Sequence, residues 1–173
     1  MGAAGEHIPC IIDVEASGFG PHSYPIEVGL ALEDGSKYCS LIHPAEDWTH
    51  WDDGAEQVHH ISREILASHG KPAWQIAADL NAILADKTVF TDGWVVDHPW
   101  LIKLFDKSQI RPSFRTSPLE MILTEPQMTV WHETKDRILD ALNERRHRAS
   151  FDAFVVQQTW VRTREETKTP LQA

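Results

Sequence analysis

Residues 8–20 read IPCIIDVEASGFG, and the fold turns on this stretch. The apolar run 8–14 reads as a buried strand. Asp13 and Glu15 stand two apart at its end. In a strand both side chains then point to one face, roughly 7 Å apart along the chain. A carboxylate at the exit of a buried strand is costly unless something pairs with it. Hard oxygen donors suit Mg²⁺ and Mn²⁺. The turn Gly18-Phe19-Gly20 lets the backbone approach a ligand closely. An isolated Asp-x-Glu is more often a strand end facing solvent, so the rest of the chain has to decide.

Outward from this stretch, 25–33 alternates as a second strand, Asp34-Gly35 is a hairpin signal, and 37–42 is the third strand, stopped by Pro44. The polar segment 46–54, with Trp48 and Trp51, reads as loop and short helical turns. Ser62 caps a short helix. Residues 72–86 carry Ala73, Ile76, Ala77, Leu80, Ile83 and Leu84 at helical spacing behind Pro72. A short strand 87–91 precedes a helix at 97–106. Residues 112–117 read as a last strand and 118–123 as one or two helical turns. Helix 126–146 turns Val130, Thr134, Ile138, Leu139 and Leu142 inward. The last helix, 150–165, is capped by Ser150, with Phe151, Phe154, Val155 and Val161 in the core. Three leading strands followed by alternating helices and strands make an α/β pattern on one sheet. The expectation is a single domain over 8–167, with a flexible tail at 1–7 and a loose one at 168–173.

The chain has 173 residues, enough for one sizeable core. Its formal net charge of −10 argues against broad basic coating of nucleic acid, though not against gripping a chain end through metal ions. Cys10 and Cys39 lack metal spacing and read as packed, reduced thiols. The start, MGAAGEH, lacks the features of a signal peptide, and no apolar run approaches membrane-spanning length. A cytoplasmic protein with no membrane partner is the expectation.

Two more stretches carry chemistry. In VFTDGWVVDHPWL, residues 89–101, Asp97 opens a helix just after a strand. An acidic residue there is favoured by the helix dipole; it is also where ligands gather in open α/β sheets. Asp92 is the competing carboxylate, with a turn-forming role before Gly93 as its plain reading. In RRHRASFDA, 145–153, His147 lies on a loop among Arg145, Arg146 and Arg148, and Asp152 follows at the start of the last helix. A loop histidine near a helix-borne carboxylate suits a general base beside a metal ligand. The adjacent pair His59 and His60 reads as packing more readily than as ligation. The three arginines, with Lys103, Lys107, Arg111 and Arg115, form either a local basic patch or a solvated face.

In this order the set Asp13, Glu15, Asp97, His147 and Asp152 resembles the DEDDh 3′–5′ exonucleases, the family of polymerase proofreading subunits, ribonuclease T and oligoribonuclease. DVEASGFG is similar to the family's first motif, DxExTG. VHHIS, 58–62, is similar to its VHGI(S/T) segment, TDGWVVD to the second motif, and HRASFDA to the third, HxAxxDA. Ser17 stands for the usual Thr, His60 for a Gly, and Gly93 where many members carry Asn. The resemblance runs from Asp13 to Ala153. It implies a ribonuclease H-like fold, a five-stranded mixed sheet with flanking helices. It implies two divalent ions, Mg²⁺ or Mn²⁺, on Asp13, Glu15, Asp97 and Asp152, with His147 as base and Glu15 at the reacting centre. It further implies that Ser17, Gly18 and Phe19 contact the terminal nucleotide. The activity implied is release of nucleoside 5′-monophosphates from 3′ ends of single-stranded DNA or RNA. The rival reading is an inactive module that binds nucleic acid or a protein partner. Oligomeric state is left open, a homodimer included.

Overall fold

A computed structural model describes residues 7–142 and 148–168. Five strands form one sheet in the order β3-β2-β1-β4-β5. They are β1 (Cys10–Ala16), β2 (Pro25–Ala31), β3 (Lys37–Leu41), β4 (Thr88–Thr91) and β5 (Arg115–Pro118). β2 runs antiparallel to β1 and β3, while β1, β4 and β5 pair in parallel. This is the mixed five-stranded α/β sheet that the resemblance implies.

The leading strands form where expected because β-branched and apolar residues alternate and Asp34-Gly35 closes the hairpin. Gly35 takes φ 83°, a left-handed turn that suits glycine. Alternation along β1 then splits the core. Cys10, Ile12, Val14 and Ala16 pack with Ile76, Leu80, Leu101 and Leu104 of α3 (Ala73–Leu84) and α4 (Trp94–Ser108). Ile11, on the opposite face, packs with Trp131, Ala153, Val156 and Trp160 of α5 (Glu125–Leu142) and α6 (Ala149–Thr167). Asp13 and Glu15 share the parity of Ile11, so they look toward α6. α2 (Arg63–His69) is capped by Ser62 as expected, its hydroxyl accepting from the Ile65 amide. Among the described residues no helix is long and apolar enough to cross a membrane.

Several boundaries differ from the sequence reading. A helix, α1 (Asp53–His59), begins at the end of the segment read as loop and short helical turns and runs on through residues given no element; Asp52 caps it by accepting from Gly54 and Ala55. His60 ends it at φ 56°, in the place where the family pattern has Gly. α4 begins at Trp94 rather than Asp97, and Pro99 lies inside it. The face of α5 is offset: Gln127, Trp131 and Thr134 are buried, while Leu142 is exposed. Ser150 is not the cap of α6, whose cap position is Arg148. Gln157, mid-helix, ties α6 to the sheet by donating to the carbonyls of Pro9 and Leu32 at 2.9 and 3.0 Å.

Candidate metal-binding cleft

β4 pairs with β1 only at Cys10 and Ile11. Past Ile11, β1 has no strand on that side, and the start of α4 swings in. Thr91, the last residue of β4, donates its hydroxyl to Asp97 and accepts the Gly93 amide at 2.9 Å. The Val14 amide of β1 acts on the same carboxyl and, with Thr91, holds its pKa down against burial. A side chain at Gly93 would place its Cβ 2.8 Å from Asp97 Oδ2, which explains glycine at this turn.

On the other side of β1, the register sets Asp13 opposite Gly29 and Glu15 opposite Glu27. Gly29 leaves room for the start of α6, since a Cβ there would lie 2.0 Å from the Ser150 nitrogen. Glu27, fully buried, accepts the Ala149 amide at 2.9 Å and a forked pair of bonds from Arg148, one at 2.8 Å from Nε. This anchors the first turn of α6 on β2. Asp152 follows within that turn. Asp13, Glu15 and Asp152 thereby bring one carboxylate oxygen each to within 4.8 Å of one another.

These groups line a cleft of about 840 Å³ together with Asp92, Asp97, Asp136 and Asp140. Burial, then the charges of Asp97, Glu15 and Asp152, hold the Asp13 carboxyl well above the ordinary carboxylate range. Burial and Asp152 push Glu15 to about 7 against the relief of Arg148. Burial raises Asp97 too, opposed by the Thr91 hydrogen bond. Like charges packed this closely titrate upward unless a cation joins them. The donor set fits a divalent ion of the hard class: all oxygen, half-buried, and convergent from two elements.

Of the residues singled out in sequence, Asp13, Glu15, Asp97, Asp152, Gly18 and Phe19 line the cleft. His147 lies outside the described residues, as do Arg145 and Arg146. Ser17 is not brought to the cleft. It is buried, and its hydroxyl accepts the Tyr24 amide at 3.1 Å and pairs with His50 Nδ1 at 3.0 Å, so it shapes the turn instead. Phe19 is 73% exposed, with its ring 6.2 Å from that of Trp100. Asp92 holds Lys135 at 2.8 Å. His59 is buried and its Nδ1 accepts the Ile61 amide, while His60 is exposed; they do not form a ligand pair. Trp48 stacks on Tyr24, and Trp51 donates to Glu56 at 2.7 Å, so both belong to a tucked loop. Three described members of the expected basic patch are engaged elsewhere. Lys103 is spent on the Pro21 and Ser23 carbonyls, Lys107 on Asp47 and Arg148 on Glu27. Lys135, Asp136 and Asp140, which line the cleft beside Leu139, were not singled out in the sequence, because they lie outside the three motif stretches.

No family model matches the chain, and no curated protein matches it. Solved structures do. An E. coli exonuclease I in complex with a dA16 oligonucleotide superposes with a TM-score of 0.69 at 13% identity, covering 91% of this chain and 41% of that one. A moderately thermophilic exonuclease I from Methylocaldum szegediense gives 0.66 at 12% identity over 91% and 41%. The zinc-bound form of the E. coli exonuclease I–single-stranded DNA complex gives 0.64 at 13% identity over the same shares. The chain thus spans about two fifths of the length of these proteins. At such identities the likeness establishes the fold.

Proposed function

We propose that the chain is a metal-dependent 3′–5′ exonuclease that hydrolyses phosphodiester bonds at the end of single-stranded nucleic acid and releases nucleoside 5′-monophosphates. The observation that carries this reading is the convergence of Asp13, Glu15 and Asp152 within 4.8 Å in a cleft on this fold. Buried Asp97 approaches from the opposite side of β1. The fold likeness to exonuclease I, solved with oligonucleotides and in a zinc-bound form, supports the same substrate class and the use of divalent ions.

In this reading Asp13, Glu15, Asp97 and Asp152 hold two divalent ions, Mg²⁺ or Mn²⁺. Such ions supply Lewis acidity at the phosphoryl group and a more acidic water. His147 accepts the proton of the attacking water as the new oxygen–phosphorus bond forms. The bond from phosphorus to the 3′ oxygen breaks, and that oxygen takes up a proton from solvent to become the new 3′ hydroxyl of the shortened strand. Gly18 brings backbone close to the terminal nucleotide, and Phe19 offers an exposed ring for its base.

The test uses 5′-labelled DNA and RNA oligonucleotides of matched sequence with Mg²⁺ or Mn²⁺. A ladder of successively shorter products, with 5′-mononucleotides released and loss of both on chelation, is expected. No metal-dependent release from either polymer would overturn the reading in favour of a non-catalytic binding module.

A further inference from the structure

The charged residues lining the cleft that would receive a polyanion are, among those described, seven carboxylates and one lysine. Among its described lining residues, Lys135 is the one lysine or arginine. It comes from the middle of α5, outside every motif that carries the resemblance. Its ammonium donates to Asp92 Oδ2 at 2.8 Å, and both side chains are partly shielded, 31% and 28% exposed. Asp92 directly follows Thr91, the residue bonded to Asp97, and its charge acts on both Asp13 and Asp97. The ammonium therefore sits on the α5 wall next to the carboxylate cluster. A lysine ammonium has three N–H donors, and Asp92 takes one. The anchor removes much of the freedom that a long side chain would otherwise lose on binding.

We propose that Lys135, held over the cleft by Asp92, donates to a phosphate oxygen of the strand seated there. The inference rests on the cleft being a nucleic-acid site, as argued above. The shape of the contact follows from the charge balance: metal ions offset the carboxylates at the cluster, and Lys135 supplies fixed positive charge beside it.

The experiment measures binding of a fluorescein-labelled single-stranded oligonucleotide by anisotropy, with Ca²⁺ in place of Mg²⁺, over a range of salt. Turnover with Mg²⁺ or Mn²⁺ is measured in parallel. Lys135→Gln should weaken binding about 5–20-fold at low salt, and the slope of log K against log salt should fall by about 0.7, one single-strand phosphate contact. Lys135→Arg, which keeps the charge, should stay within about threefold of the native chain. Unchanged affinity and slope in Lys135→Gln would overturn the inference while leaving the nuclease reading intact. Lys135-dependent binding without any mononucleotide release would overturn the exonuclease reading alone. Failure of the native chain to bind any oligonucleotide would overturn both.

Discussion

Glu15 and Glu27 stand opposite each other in the β1–β2 ladder, yet their surroundings are opposed. Glu27 is gripped by Arg148 and the Ala149 amide. Glu15 looks into a cleft of carboxylates, with Asp152 the charge that raises it most. One glutamate fastens α6 to the sheet; its neighbour faces the cleft.

Removing the fastener exposes its worth. Arg148→Ala leaves the buried Glu27 carboxylate with a backbone amide and a thiol as donors. Breaking a fully buried pair costs about 3–5 kcal/mol. Arg148 is itself 45% exposed, so a loss of about 2–3 kcal/mol is expected. A shift of the urea midpoint corresponding to less than about 0.5 kcal/mol would mean that the pair contributes nothing to holding α6.

The carboxylate cluster makes stability depend on pH and metal together. Glu15 has an ordinary value of 4.5 and about 7 in the folded chain. Its folded form therefore keeps a proton that the unfolded form loses. From this group, ion-free stability is greatest below 4.5, falls as pH rises through the window to 7, and reaches its full loss above it. The scale is on the order of 3 kcal/mol. Divalent ions should reverse that loss, so Mn²⁺ should raise Tm far more at pH 8 than at pH 5.5. Equal shifts at the two pH values would argue against binding at this cluster.

Asp97 and Asp92 separate cleanly in geometry. Asp97 is buried against β1, whereas Asp92 is a partly exposed partner of Lys135. Asp97→Asn should lower nuclease turnover by at least about 100-fold, because a neutral amide is a poor ligand for a hard cation. Asp92→Asn should keep turnover within about fivefold and stability within about 1 kcal/mol, the scale of an exposed pair. The reverse ranking in a metal-dependent release assay would move the ligand role to Asp92.

Much of this was legible because it is local. Period-two alternation placed Asp13 and Glu15 on one face, and Asp34-Gly35 placed the hairpin. What escaped was long-range or against local preference. Ser150 looks like a cap, but the start of α6 is satisfied from β2 by Glu27. Asp97 suits a helix N-terminus through the dipole, so α4 was expected to begin there; Gly93 and Thr91 instead start it earlier. Ser17 offered a hydroxyl to a ribose on paper, while in the fold the Tyr24 amide and His50 take it. On α5 the inward Thr134 was legible, but buried Gln127 and Trp131 were not, nor was Lys135 in the cleft.

Phe19 gives the sharpest separation of stability from function. A ring 73% exposed at a left-handed turn (Gly18 φ 139°, Gly20 φ 94°) contributes little to the core. Phe19→Ala should therefore change folding stability by no more than about 0.5 kcal/mol. If the ring stacks on the terminal base, the same change should weaken the grip on a 3′ end by about 1–3 kcal/mol, roughly 5- to 150-fold in KM or Kd. Leu in place of Phe should recover part of that loss through apolar contact, without the preference for an aromatic face. A Phe19→Ala chain that keeps full affinity for oligonucleotide ends would leave the exposed ring unexplained by substrate and would detach this turn from the proposed nuclease role of the cleft.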